Sequence, residues 1–115
     1  MTLAILLPAF WTMQVLANVA FKYGSLDSNR ASRRWLAGFA AGNAVGASSM
    51  YLMMLIFARM PANPNLATVL GGVGGSLGSQ ITLAVLFRSR LSPTQWAGIL
   101  LAVAGTALAT LAAHP

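Results

Sequence analysis

WLAGFAAGNAVGASSMYLMMLIFA, residues 35–58, runs from Arg34 to Arg59 without one charged side chain. About 20 such residues are enough to carry an α-helix across the hydrocarbon of a bilayer. Strand alternation is absent, and in lipid an open sheet would leave backbone donors and acceptors unpaired. The stretch therefore predicts a transmembrane helix. It ends at Arg59-Met60-Pro61-Ala62-Asn63-Pro64, where two prolines disfavour helix continuation.

Three similar stretches flank it. The first spans residues 3–23 and stops at the polar loop Gly24-Ser25-Leu26-Asp27-Ser28-Asn29-Arg30. It has no basic segment before it, its apolar run is longer than that of a signal peptide, and Ala17 to Ala20 is a weak cleavage site, so it is read as a helix that stays. The third spans residues 65–87 and is closed by Arg88-Ser89-Arg90. The fourth, 93–112, opens on Ser92-Pro93, a cap followed by proline at the first helical position. The expected fold is all-α, a single integral membrane bundle of four transmembrane helices.

Composition agrees. Hydrophobic residues make up 57% of the 115 and charged ones 7%, whereas a soluble domain needs about a quarter charged residues to cover its surface. There is no cysteine, one acidic residue (Asp27) and one histidine, His114. Acid–base pairs, carboxylate metal cages and thiolate sites cannot be built from that set. No enzyme, metal or cofactor is expected. The methionines at 50, 53, 54 and 60 are apolar packing.

The net charge of +6 would suggest nucleic acid in a soluble chain. Here the basic residues sit at the ends of apolar blocks, and membrane orientation explains them better. Lys22, Arg30, Arg33, Arg34, Arg88 and Arg90 fall on one side, and only Arg59 on the other. The expectation is a multi-pass protein of the inner (plasma) membrane with both termini non-cytoplasmic. Such asymmetry disfavours an antiparallel homodimer. A same-way-up homodimer, or a heterodimer with another small membrane protein of opposite orientation, is expected instead.

Polar residues collect at mid-depth. Gln14 and Asn18 share a face with Lys22, Asn43 lies mid-way along the second helix, and Ser76 and Gln80 lie in the third. Buried amides in lipid need partners, and they serve either as interhelical glue or as the lining of a polar substrate path. Gly38, Gly42 and Gly46, four apart, suit close packing inside the bundle or at a subunit interface. Gly71-Gly72-Val73-Gly74-Gly75-Ser76-Leu77-Gly78 suits tight packing, a hinge or a substrate path. A phosphate-binding loop is excluded, because the Lys-Ser/Thr of that motif is missing. Trp35 and Trp96 stand at helix starts as interface anchors, and Trp11 lies deeper.

The lysine closing the first helix and the run Arg90-Leu91-Ser92-Pro93-Thr94-Gln95-Trp96-Ala97-Gly98-Ile99-Leu100-Leu101-Ala102-Val103-Ala104-Gly105 resemble the drug/metabolite transporter superfamily. Nearest in size are the small multidrug resistance proteins and the paired subunits that flip aminoarabinose-phosphoundecaprenol. The resemblance covers nearly the whole chain and is firmest in the last third. It implies a dimer contact through Gly98 and Gly105, seven apart on the fourth helix. The multidrug family couples export to protons through a glutamate eight residues before the lysine, where this chain has Gln14, an amide that does not titrate. The family's drug-stacking tryptophan in the third helix falls on Gly71. Proton-driven export of cationic drugs is therefore disfavoured.

The basic first loop and the Ser-Pro-x-x-Trp-x-Gly opening of the fourth helix look more like the flippase subunits. Arg30, Arg33, Arg34, Arg88 and Arg90 either hold phosphate headgroups or set orientation alone. The expected function is a small transporter or flippase subunit lacking the coupling glutamate, with a lipid-linked or small polar substrate and Gln14, Asn18, Asn43, Gly71, Ser76 and Gln80 along its path. The alternative is a non-transporting accessory subunit of a larger membrane complex.

Overall fold

The computed structural model describes residues 2–88 and 90–112; His114 lies outside them. Among the described residues there are four helices and no strand: α1 (Leu3–Ser25), α2 (Arg33–Arg59), α3 (Pro64–Leu86) and α4 (Pro93–Ala112). At 1.5 Å per residue the shortest, α4 with 20 residues, reaches about 30 Å, the thickness of the hydrocarbon core. All four are long and apolar enough to cross a membrane. The chain is a multi-pass membrane protein.

Helix starts follow local chemistry. Ser32 caps α2, its hydroxyl oxygen accepting from Trp35 N at 3.1 Å. That cap draws Arg33 and Arg34 into the helix, although the apolar pattern alone begins at Trp35. At α4, Ser92 and Gln95 form a reciprocal capping box: Gln95 N donates to Ser92 Oγ at 3.2 Å, and Ser92 N donates to Gln95 Oε1 at 2.7 Å. Pro93 and Pro64 open α4 and α3, where their missing N–H costs nothing. Past α3, Arg88 adopts a left-handed backbone with φ of 53°.

A small apolar core, Leu6, Phe10, Ile56 and Ala67, ties α1, α2 and α3 together at the end opposite the basic loops. Toward the basic end, glycines replace the core. A Cβ on Gly38 would stand 2.6 Å from Gly24 Cα and 2.7 Å from Ala20 O, so α1 and α2 touch backbone to backbone there. Gly42 receives the ring of Phe21.

The glycine run of α3 is helical throughout, and most of it is a mould for α1 and α2. Gly71 takes Phe10 and Met53, Gly74 the indole of Trp11, Gly75 the stem of Gln14, and Gly78 the methyl of Val15. Gly72 alone points into open space. Trp11 Nε1 also donates to Leu70 O at 2.9 Å, an approach that the bare Gly74 permits.

α4 stands apart. Its helix packs only against α3, and Ile99 is its one buried residue among those described. The apolar spans of α1, α2 and α3 are each 17% buried and that of α4 6%. The assembly is a flattened bundle, 53 × 35 × 18 Å. Its narrowest dimension is under two helix diameters.

Candidate functional site

Two grooves, one between α1 and α2 and one between α3 and α4, hold five of the six residues expected along a path. The first, a cavity of about 320 Å³ between α1 and α2, is lined by Gln14, Asn18, Asn43, Gly42 and Gly46 among others. Gln14 and Asn18 lie one turn apart on α1 and reach to opposite neighbours. Gln14 Nε2 donates to Ser49 Oγ of α2 at 2.6 Å, and Ser49 Oγ passes its own proton to Gly46 O. Asn18 Nδ2 donates to Ser79 Oγ of α3 at 2.8 Å. Ser49 and Ser79 are buried, so these bonds satisfy hydroxyls that the bundle has taken from water. Asn43 is exposed, and its NH2 donates to Phe39 O one turn back.

The second groove, of about 510 Å³, lies between α3 and α4 and includes Thr68, Gly72, Ser76, Gln80, Gln95 and Gly98. Ser76 follows Pro64 by 12 residues, which places it about 18 Å along a helix of some 35 Å, near mid-depth. Ser76 and Gln80 are exposed and joined by a 3.4 Å bond from Gln80 Nε2 to Ser76 Oγ.

The expected path residues thus divide: Gln14, Asn18 and Asn43 line the first groove, Ser76 and Gln80 the second. Gly71 lines neither and is covered by Phe10 and Met53. Lys22, on the same α1 face, is exposed at the helix end. Gly98 lines the α3–α4 groove, and an added Cβ on it or on Gly105 meets nothing within 4 Å.

Nothing in the sequence singles out Ser49, Ser79 or Thr68, and Gln95 stands there only within the run that carries the family resemblance. The serines carry a weak signal, a hydroxyl in mid-span. Thr68 sits among apolar neighbours near a helix start.

Among the expected headgroup or orientation residues, Arg30, Arg33, Arg34, Arg88 and Arg90 are all exposed. Arg34 is the one with a defined pose. Its Nε donates to Tyr23 O at 3.0 Å, and its guanidinium carbon lies 4.2 Å from the Tyr23 ring centroid, a cation–π stack that braces the α1–α2 loop. Asp27 accepts from Asn29 N at 2.9 Å. That backbone bond holds its carboxyl below the ordinary value, with smaller help from the Ser32 side chain and the Arg34 charge.

No protein-family model matches the chain, and neither the curated proteins nor the solved structures contain a significant match to it.

Proposed function

We propose that the chain is a small transporter or flippase subunit of the drug/metabolite transporter superfamily, working as a dimer or with a partner chain. The observation that carries this reading is the exposed polar pair Ser76 and Gln80 in a groove within the spans. Polar groups facing hydrocarbon cost free energy unless something polar meets them. A purely structural bundle has no reason to keep them there. Gln14 stands where the resembling multidrug exporters carry a titratable acid, so transport through this scaffold is independent of a proton taken up at that position.

The test is reconstitution into liposomes, alone and with a second small four-helix protein, followed by flux of small polar solutes and of fluorescent lipid analogues. Movement that falls severalfold in Ser76→Ala/Gln80→Leu supports the reading. Movement equal to that of empty liposomes for every solute and lipid tried overturns it.

The accessory-subunit reading has its own support in Gln14 and Asn18, whose amides are engaged in holding helices together. Co-purification with a stoichiometric larger complex, whose activity ignores changes at Ser76 and Gln80, favours it.

The orientation proposed is basic loops in the cytoplasm of the inner membrane and both termini outside. In the cysteine-free chain, a Cys at Ser28 would be shielded from an impermeant thiol reagent in whole cells and a Cys at Asn63 labelled. The reverse pattern overturns it.

A further inference from the structure

The groove between α3 and α4 has a neighbour. A second cavity of about 650 Å³, almost wholly apolar, opens beside it and is lined by Trp11, Leu70, Val103, Thr106 and Leu111. Val73 and Leu77 belong to the walls of both. The polar cavity takes in the first half of α4, through Gln95, Gly98 and Ala102. The apolar one takes in the second half, from Val103 to Leu111. Two adjoining open grooves, one carrying polar side chains among apolar ones and the other almost wholly apolar, describe an amphiphile in negative.

The polar chamber has a definite chemistry. Thr68, Gly72, Ser76 and Gln80 recur every fourth residue, so they form one stripe along α3, about 18 Å long. Gly72 and Gly98 leave the space in front of that stripe empty. Gln80 gives one N–H to Ser76, and Gln95 accepts at its carbonyl oxygen from Ser92 N. The Gln80 carbonyl and the Gln95 NH2 remain to accept from and donate to a guest. Among the described residues no charged one lines the chamber. A net ionic headgroup would enter it without a counter-charge, at several kcal/mol by the usual cost of ions in low dielectric. The volume lies within the ~300–1,000 Å³ of ordinary ligand sites.

We infer that the α3–α4 seam binds a membrane amphiphile with an uncharged, hydroxyl-bearing headgroup. The head lies against Ser76, Gln80 and Gln95, and an apolar chain lies in the chamber beside Trp11. This rests on the transport reading above and names the class of its substrate. The guest enters sideways from the bilayer, its polar end toward the basic side of the protein, as a lipid of that leaflet is already aligned.

The chain's own fluorescence tests it. Trp35→Phe/Trp96→Phe leaves Trp11 as the single tryptophan of the original three. The protein is reconstituted in unlabelled phosphatidylcholine and doped with lipids carrying the same brominated chain on a glucosyl, a phosphocholine or a phosphoglycerol headgroup. Half-maximal quenching of Trp11 is expected at a mole fraction at least fivefold lower for the glucosyl lipid than for the phosphoglycerol one. Gly72→Leu, which fills open space, should erase the difference, and Ser76→Ala/Gln80→Leu should reduce it, with helicity by circular dichroism unchanged in both. Equal quenching by all three lipids, or a preference that survives both variants, overturns the inference. So does headgroup-blind quenching accompanied by loss of dimer in Gly72→Leu, because the seam is then covered by a second copy. Binding is read here without translocation. A failed preference therefore removes this substrate class and leaves the flux experiments to judge transport.

Discussion

At the scale of single residues, glycines divide by what stands opposite them. Gly38 faces backbone, and backbone does not yield. Gly38→Ala should lower stability by about 1–3 kcal/mol, the ordinary range for overpacking, read by SDS titration of refolded protein in bicelles. Gly72→Ala meets nothing and should be neutral or stabilising by up to about 1 kcal/mol through helix propensity. The sequence already made Gly38, Gly42 and Gly46 a packing ridge. It did not separate Gly38 from Gly46, where an added Cβ would make only an ordinary 3.8 Å contact with Ala17. The difference lies in the partner's surface, which no local pattern encodes. Asp27 gives a second test at this scale. Its folded-state pKa is lowered, so its contribution to the α1–α2 loop is complete above the unfolded value and lost as pH falls through the folded one. The amide shift of Asn29, followed by NMR in micelles, should titrate with a midpoint below the ~3.9 of a free aspartate, and Asp27→Asn should flatten the curve.

At the scale of helices, the spans were legible because lipid demands long apolar runs, and the caps moved their ends by a residue or two. How helices join was less so. Gln14 and Asn18 look equivalent in the sequence, one turn apart on the same face. In the fold one clamps α1 to α2 through Ser49 and the other clamps α1 to α3 through Ser79. Gln14→Leu and Asn18→Leu should each destabilise the bundle, and the interhelical coupling each removes should be about 0.6 kcal/mol, at most about 1.7. Double-mutant cycles should find coupling for Gln14 with Ser49 and for Asn18 with Ser79, and none for the crossed pairs. The choice of neighbour depends on helix rotation, which is set by Trp11 lying over Gly74 and Phe21 over Gly42. Those pairings join residues far apart in the chain, and periodicity does not see them.

At the scale of the whole molecule, charge and packing make independent demands. Arg30→Ala/Arg33→Ala/Arg34→Ala removes half of the six basic residues grouped at one end, while leaving the apolar core untouched. Insertion should then become mixed, with a thiol at Ser28 labelled from outside in a measurable fraction of copies, whereas detergent-solubilised stability changes by less than about 1 kcal/mol, apart from the loss of the Arg34–Tyr23 stack. The fold class was legible in the sequence. The division of the expected path residues between two grooves was not, because it arises only when α4 packs against α3 and stands off from α1 and α2. The two sides of α3 are likewise unequal: 71, 74, 75 and 78 are filled by neighbours, while 72, 76 and 80 are bare. Under random mutation the helix should drift unevenly. In a saturation library sorted for surviving protein, tolerated side-chain volume should rise and fall along α3 with a 3.6-residue beat. The residues that matter only for the guest should vanish from that record, and reappear when the same library is sorted for activity.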